Sequence, residues 1–280
     1  MKIVVLAGGL STERDVSLTS GTMICNALRR IGHRAILVDL FFGTDIPKNI
    51  EEAFCAEGFL QPRPVAAEAP DIDAIKKSRP DSGYGEIGKN VLALCQAADI
   101  VFMALHGEIG ENGKLQAIFD VMGIRYTGAG FLGSAIAMQK GIAKQIFLQN
   151  DIPTPLGKIY TKKTCDKIRE DFQFPVIVKP CSGGSSIGIT RADTFDELVR
   201  SLDEAFRYED EVLVEQFVSG REFTCGVLDK SVLPVAEVIP NEGFYDYKHK
   251  YQAGMITEVV PANIPEEISK RIQEASLKVT

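Results

Sequence analysis

The sequence predicts an α/β protein whose first part is a doubly wound parallel sheet. Residues 3–7 form an apolar run of strand length, and a helix is expected to follow and to end near Gly32. A second apolar run covers residues 35–40, and a third covers residues 100–105. Because a strand, a crossover helix and a second strand follow one another, the strands should pair in parallel.

The segment between the second and third strands has a different character. Residues 43–90 contain five prolines and few periodic apolar positions, which predicts a long surface excursion with a short helix near residues 49–56. Beyond the third strand we expect a helix over residues 114–122, a short strand over 124–127 and one long helix over 133–149. That last helix carries Lys140 and Lys144.

The second part of the chain is organised around a strand, a glycine-rich loop and a second strand. Residues 176–178 are consecutive β-branched residues, which indicate a buried strand, and Lys179 closes it. Residues 181–188 then contain three glycines and three serines. Such a loop can turn several backbone N–H groups toward one anion, and the lysine adds a point charge, so the pattern predicts phosphate binding. It is not a P-loop, in which the lysine follows the glycines.

The remaining elements complete this second part. Thr194 and Glu197 have the spacing of a capping box at the start of a helix over residues 193–207. Further helices are predicted over residues 164–171 and 265–280, and strands over residues 159–160, 211–218, 221–228, 232–239 and 257–260.

Composition excludes several classes of protein. The chain has 280 residues and a net charge of -7, which argues against a nucleic-acid surface built on bulk positive charge. Its apolar runs are too short for a signal peptide or a membrane span. The six cysteines form no C-x-x-C pair, so neither a zinc site nor a disulfide framework is indicated, and we expect a cytoplasmic protein.

Two polar residues follow strands of the parallel sheet. Glu13 comes after the first strand and His106 after the third, each beside a glycine turn. Ligands of open parallel sheets bind beyond the carboxyl ends of the strands, so both side chains could face one crevice. The glycines near Glu13 do not form G-x-G-x-x-G, which makes a dinucleotide-dependent oxidoreductase a distant alternative.

Five segments in order carry a resemblance to a known family. They are residues 8–17, 106–116, 179–188, 215–217 and 244–251. Together they make the chain similar to the D-alanine–D-alanine ligases of the ATP-grasp superfamily, and the resemblance runs from Met1 to Thr280. It implies an ATP-grasp fold with an N-terminal doubly wound domain over residues 1–130, a small central α+β domain over 131–216 and an incomplete C-terminal α+β domain over 217–280.

The resemblance also implies an activity. In that family ATP phosphorylates one D-alanine and the amine of a second D-alanine attacks the acyl phosphate, which yields D-alanyl-D-alanine for peptidoglycan synthesis. The catalytic residues would be Glu13, Ser185 and Tyr251, and the first D-alanine would contact Val16 and His106. ATP would contact Lys140, Lys179, Gly184, Ser185, Ser186, Glu215, Phe217, Val218, Glu222 and Lys250. A homodimer with no nucleic-acid or membrane partner is expected.

One departure from the family pattern limits these expectations. The closing segment of the family carries an arginine for the oxyanion and the acidic ligands of Mg²⁺, and these ligands are expected beyond Thr280. No metal ligand is therefore assigned within the chain, which as written is expected to be inactive or to be a nucleotide-binding fragment. A D-alanine–D-serine ligase stays open, whereas Tyr251 argues against a D-lactate ligase.

Overall fold

The computed structural model describes residues 1–46, 48–55, 58–66, 68–79, 85–165, 168, 173–184, 188–241 and 254–280. The chain forms two compact units, Met1–Ala135 and Ile136–Thr280. None of the helices within those described ranges combines the length and apolarity that crossing a bilayer requires.

The first unit is built on a parallel sheet with helices on both faces. Its strands are β1 (Lys2–Ala7), β2 (Arg34–Asp39) and β3 (Ile100–Met103), in the order β2-β1-β3. Both pairings are parallel, with Lys2 opposite Arg34 and Ile3 opposite Ile100. The helices of this unit are α1 (Arg14–Arg30), α2 (Ile50–Ala53), α3 (Ile72–Ser78), α4 (Val91–Ala97), α5 (Glu108–Glu111) and α6 (Lys114–Met122). The next helix, α7 (Phe131–Met138), runs across the boundary between the two units at residue 135. The predicted fold class is confirmed.

The central strand explains why two layers of helices form. Alternate side chains of β1 point to opposite faces of the sheet. Val4 and Leu6 belong to a core with residues of α4 and α6, whereas Ile3, Val5 and Ala7 belong to a core with residues of α1. A strand buried on both faces needs helices on both faces, which is the doubly wound arrangement.

Two expectations for this unit need correction. The 43–90 excursion holds a second helix, α3, and is not purely superficial, because Phe54 is buried against the sheet and Gly43 bridges Lys89. The strand expected over 124–127 is a single parallel bridge between Val101 and Tyr126.

The long helix expected over 133–149 is two helices, α7 and α8 (Lys140–Gln149), separated by Gln139. Gln139 is extended, with φ -92° and ψ 93°, and its side chain accepts a hydrogen bond from the Gly141 N–H at 3.0 Å. The Lys140 N–H donates to the Cys181 carbonyl at 2.7 Å. A new helix begins at Lys140 because its first N–H groups have partners there, including the Cys181 carbonyl, directly after β5.

The second unit contains a four-stranded antiparallel sheet. Its strands are β4 (Gly157–Tyr160), β5 (Val176–Pro180), β6 (Thr190–Ala192) and β7 (Val212–Gln216), in the order β4-β7-β5-β6. The β5–β6 pairing, with Val178 opposite Thr190, is the hairpin that the sequence predicts around the glycine loop. The helix expected at 164–171 falls largely outside the described residues.

Helix α9 (Phe195–Ala205) covers this sheet. Leu198, Leu202 and Ala205 share a core with residues of β5 and β7. The predicted cap is present, because Thr194 Oγ1 accepts from the Glu197 N–H at 3.3 Å. The Glu197 carboxylate in turn accepts from the Asp193 N–H at 2.7 Å, one residue before the position that a capping box uses.

The last elements form a smaller antiparallel arrangement. Strands β8 (Glu222–Thr224), β11 (Ala236–Pro240) and β12 (Ile256–Val259) pair in the order β12-β11-β8, and β9 (Val227–Leu228) pairs with β10 (Ser231–Val232). The two longer strands expected over 221–228 and 232–239 are therefore each broken. The breaks lie at residues 225–226 and 233–235. Asp229 and Lys230, with φ values of 46° and 65°, form the tight turn between β9 and β10. Helix α10 (Glu266–Val279) ends the described chain.

Candidate active site

One group of candidate residues lies in the first unit, at the carboxyl end of β1. Glu13 immediately precedes α1 and is 8% exposed. The Ser11 hydroxyl accepts from the Glu13 N–H at 3.1 Å and donates to the His106 carbonyl at 2.6 Å. A hydroxyl thus links the two loops that follow β1 and β3.

The His106 imidazole contacts helix α1, and the next residue, Gly107, approaches Glu13. The His106 Nε2 is 3.3 Å from the Ser20 hydroxyl on α1. Gly107 has a φ of 68°, and a Cβ there would come within 3.1 Å of Glu13 Oε2, so this approach needs glycine. Val16 lies in the first turn of α1 and is partly buried, and its carbonyl accepts a hydrogen bond from the Ser20 hydroxyl. These positions are compatible with the expected contacts to the first D-alanine, which stay a prediction.

An ion pair fixes the turn between β1 and α1. The Arg14 guanidinium pairs with the Asp39 carboxylate at the end of β2 and donates to the Gly9 carbonyl at 2.7 Å. Asp39 also accepts from the backbone N–H groups of Phe41 and Phe42, at 2.9 and 3.1 Å. The turn that positions Glu13 is therefore held by a charge network rather than by glycine content alone.

Another group of candidate residues lies at the glycine-rich loop of the second unit. Lys140 Nζ donates to the carbonyls of Ser182 and Gly183, at 3.1 and 2.8 Å. Burial lowers the pKa of the Lys140 ammonium, and the charge of Lys179 lowers it further. A polyanion bound here would raise the pKa of Lys140 again, because its negative charge stabilises the ammonium form.

Three charged side chains converge behind this loop. Lys179 on β5 pairs with one oxygen of the Glu215 carboxylate on β7. Lys144 on α8 lies 3.0 Å from the other oxygen, and the side chains of Lys144 and Glu215 are 8% and 9% exposed. Sequence reasoning assigned no role to Lys144. Its spacing of four residues from Lys140, which puts both on one face of a helix, was the available signal.

The loop is also tied to the segment before β7. The Ser182 N–H donates to the Glu209 carboxylate at 2.7 Å, and the Ser182 hydroxyl contacts the same carboxylate. Burial, with the nearby Glu209 and Glu211 carboxylates, raises the pKa of the Cys181 thiol to about 11. Cys181 is therefore a neutral packing residue rather than a reactive one.

The expected neighbours of the base and ribose follow β7. Phe217 stacks under the Arg191 guanidinium, 4.4 Å from the ring centroid, and Val218 is exposed. Glu222 is exposed at the start of β8, and Gly184 is exposed in the glycine loop. Four further predicted site residues lie outside the described residues: Ser185, Ser186, Lys250 and Tyr251.

Among the described residues there is no group of three or more His, Cys, Asp or Glu side chains that could hold a metal ion.

Comparison with known proteins shows which family the chain resembles along both of its halves. A family model described as the D-ala D-ala ligase N-terminus matches residues 2–129, and a second, described as the D-ala D-ala ligase C-terminus, matches residues 152–280.

The chain belongs to the D-alanine–D-alanine ligase family.

Individual members of this family support that assignment along nearly the whole chain. A D-alanine–D-alanine ligase of Pediococcus pentosaceus is 43% identical over 99% of this chain and 80% of its own length. The crystal structure of the Bacillus anthracis D-alanine–D-alanine ligase aligns with a TM-score of 0.70 and 30% identity, over 100% of this chain and 77% of that one. A structure of the same enzyme complexed with ATP has a TM-score of 0.69 at 25% identity and covers 75% of that chain.

A second kind of ligase is also similar. The structure of the VanG D-Ala:D-Ser ligase from Enterococcus faecalis aligns with a TM-score of 0.68 and 29% identity, over 99% of this chain and 81% of that one. Overall similarity therefore leaves the second amino acid of the reaction open.

Proposed function

We propose that this chain is an ATP-dependent carboxylate–amine ligase that joins two D-alanines to D-alanyl-D-alanine, a peptidoglycan precursor. Family membership over both halves of the chain carries this proposal. The lysine and glycine-loop arrangement of the second unit supports ATP as the phosphoryl donor, and the Glu13–His106 arrangement of the first unit supports an amino acid as the acceptor.

The nucleotide would bind through the second unit. Lys140 and Lys179 would hold the phosphates, with the loop at Gly184, Ser185 and Ser186 over them and Lys250 near the γ-phosphate. Glu215, Phe217 and Val218 would border the adenine, and Glu222 would take the ribose hydroxyls. Phosphate is a stronger partner for Lys179 than a carboxylate already shared with a second lysine, so its ammonium can turn to the ligand when ATP enters.

The first D-alanine would bind through the first unit. The ammonium of the substrate needs an anionic partner, and Glu13 is a buried carboxylate held in place by the Ser11 bridge. Val16 would contact the substrate methyl group, and His106 would hold the carboxylate and the acyl phosphate formed from it. Ser185 and Tyr251 are the catalytic residues that the family resemblance adds to Glu13.

The reaction then proceeds in two displacements. An oxygen of the D-alanine carboxylate attacks the γ-phosphorus of ATP, the bond from that phosphorus to the bridging oxygen breaks, and ADP leaves. The neutral amine of the second D-alanine attacks the acyl carbon, loses a proton, and expels inorganic phosphate as the carbon–oxygen bond breaks. Fixed cationic donors such as Lys140 and Lys179 stabilise charge that develops on the transferred phosphoryl group. Magnesium, which this chemistry uses to neutralise the phosphates, is not assigned a ligand among the described residues.

Several finer features belong to the same proposal. We expect three domains with boundaries at residues 1–130, 131–216 and 217–280, a homodimer, and a cytoplasmic location, where ATP is available. Analytical ultracentrifugation tests the dimer. D-serine is a second candidate for the incoming amino acid, because the VanG ligase is nearly as similar in structure as the D-alanine enzyme.

The test is a ligation assay on the purified chain with ATP, Mg²⁺ and D-alanine, with D-serine, D-lactate and L-alanine in parallel. The ligase proposal requires ADP, inorganic phosphate and D-alanyl-D-alanine in equal amounts, identified by mass spectrometry, and such turnover would overturn the expectation of an inactive chain. Glu13→Gln should raise the KM for D-alanine and leave ATP binding intact, whereas Lys179→Ala should weaken ATP binding without lowering the melting temperature. Nucleotide binding without any dipeptide would favour the nucleotide-binding alternative, and no ATP binding at all would refute the proposal.

A further inference from the structure

Lys144 is a buried lysine that the proposed mechanism does not use. Its side chain is only 8% exposed, and a lysine rarely occupies such a position unless its charge has a partner. The partner is Glu215, which is equally buried and which the proposed function places at the adenine. The question is what Lys144 does for that carboxylate.

The contacts of Lys144 leave it no capacity for a phosphate. Its Nζ donates to Thr154 Oγ1 at 2.9 Å and to the Pro155 carbonyl, and it lies 3.0 Å from Glu215 Oε2. An ammonium group has three N–H donors and no acceptor, so these three oxygens match its donors in number. Lys140, one helical turn earlier, instead donates to loop carbonyls at the phosphate-binding segment.

The two lysines on Glu215 therefore have different freedom. Lys179 pairs with Oε1, is 20% exposed, and sits on the strand that leads into the glycine loop. Lys144 is fixed by two neutral oxygens besides the carboxylate. When phosphates attract Lys179, Lys144 is the cation that stays beside Glu215. Lys144 therefore fixes the orientation of the Glu215 carboxylate, since its ammonium is anchored at the same time to Thr154 and Pro155.

We propose that Lys144 is a positioning residue for base specificity, which holds the Glu215 carboxylate in the orientation that accepts from the exocyclic amino group of adenine. This inference rests on the proposed function. A buried carboxylate accepts from the amino group of adenine, whereas the carbonyl that guanine presents at the same place would face it acceptor to acceptor. A site built to satisfy one polar group rejects an analogue that lacks it, because the buried partner is left unpaired.

The experiment measures calorimetric dissociation constants of the full chain for ATP and for purine riboside triphosphate, which differs from ATP only by the missing amino group. We expect the wild-type chain to prefer ATP by about tenfold to a hundredfold, the scale of one hydrogen bond to a charged acceptor. Lys144→Met keeps the length and loses the charge, and it should remove most of that preference while the affinity for the analogue changes by less than about threefold. Lys144→Arg should retain part of the preference.

Controls separate this role from a structural one. Lys270→Met removes an exposed ion pair of the same unit and should leave the ratio unchanged. If Lys144→Met does not fold, as judged by its melting curve, Thr154→Val removes one acceptor of Lys144 and should lower the preference in part. Equal losses for ATP and the analogue in the Lys144 variants, or an unchanged preference, would overturn the inference while the ligase proposal stands. A wild-type chain that binds neither nucleotide would overturn both.

Discussion

Replacing Arg14 by glutamine should destabilise the first unit far more than a typical surface substitution does. The Arg14 side chain is 8% exposed and the Asp39 side chain 16%, so the variant leaves a carboxylate without its cation in a largely dry environment. The Gly9 carbonyl also loses its donor.

The size of the effect follows from these contacts. Removing one partner of a buried ion pair costs about 3–5 kcal/mol, because the remaining charge is uncompensated. Asp39 keeps two backbone N–H donors, from Phe41 and Phe42, which offset part of that penalty. We therefore expect a loss at the lower end, about 3 kcal/mol. Asp39→Asn, which removes the anion, should cost a similar amount, and the double variant should cost about 1–2 kcal/mol less than the sum.

Urea unfolding of the full chain provides the free energies. Because two compact units need not unfold together, hydrogen exchange of peptides from β1 and α1 should report the first unit separately. Arg30→Gln, at an exposed position of the same helix, is the matched control and should change stability by less than about 0.5 kcal/mol. A loss below about 1 kcal/mol for Arg14→Gln, or strictly additive losses in the double variant, would show that the pair does not hold the turn.

Three further predictions concern single residues. Burial lowers the pKa of Lys140 below the ordinary lysine value of 10.5, so ATP affinity, measured by calorimetry from pH 7 to 10, should fall as the pH rises. Lys140→Arg should abolish that fall, and an unchanged pH profile in the arginine variant would contradict this prediction. Gly43→Ala should lower the free energy of unfolding in urea by several kcal/mol, since its Cβ would lie 2.2 Å from the Lys89 carbonyl oxygen. Gly32→Ala has a similar positive φ but open space around it and should cost about 1–2 kcal/mol, so equal losses would refute the steric argument. Iodoacetamide at pH 8 should label the exposed Cys55 first and spare the buried Cys181, because the raised pKa of Cys181 leaves almost no thiolate. Peptide mass spectrometry that shows the opposite order of labelling would exclude a buried, neutral thiol at Cys181.

Local patterns in the sequence determined most of the architecture. The apolar runs at β1, β2 and β3 predicted the parallel sheet, the Thr194–Glu197 spacing predicted the start of α9, and the glycine-rich loop predicted the β5–β6 hairpin. Each of these signals depends on residues that are neighbours in the chain, so periodicity and turn chemistry are enough to reveal them.

The tertiary structure decided what depends on residues far apart in the sequence. The break at Gln139 forms because the N–H of Lys140 finds the Cys181 carbonyl on another element, which no helical period can indicate. The Lys144–Glu215 and Arg14–Asp39 pairs arise in the same way, since folding brings charges from separate elements together in buried places where each needs the other. A sequence pattern shows which residues are apolar and which are charged. The partner of a buried charge is determined only when folding brings two separate elements together.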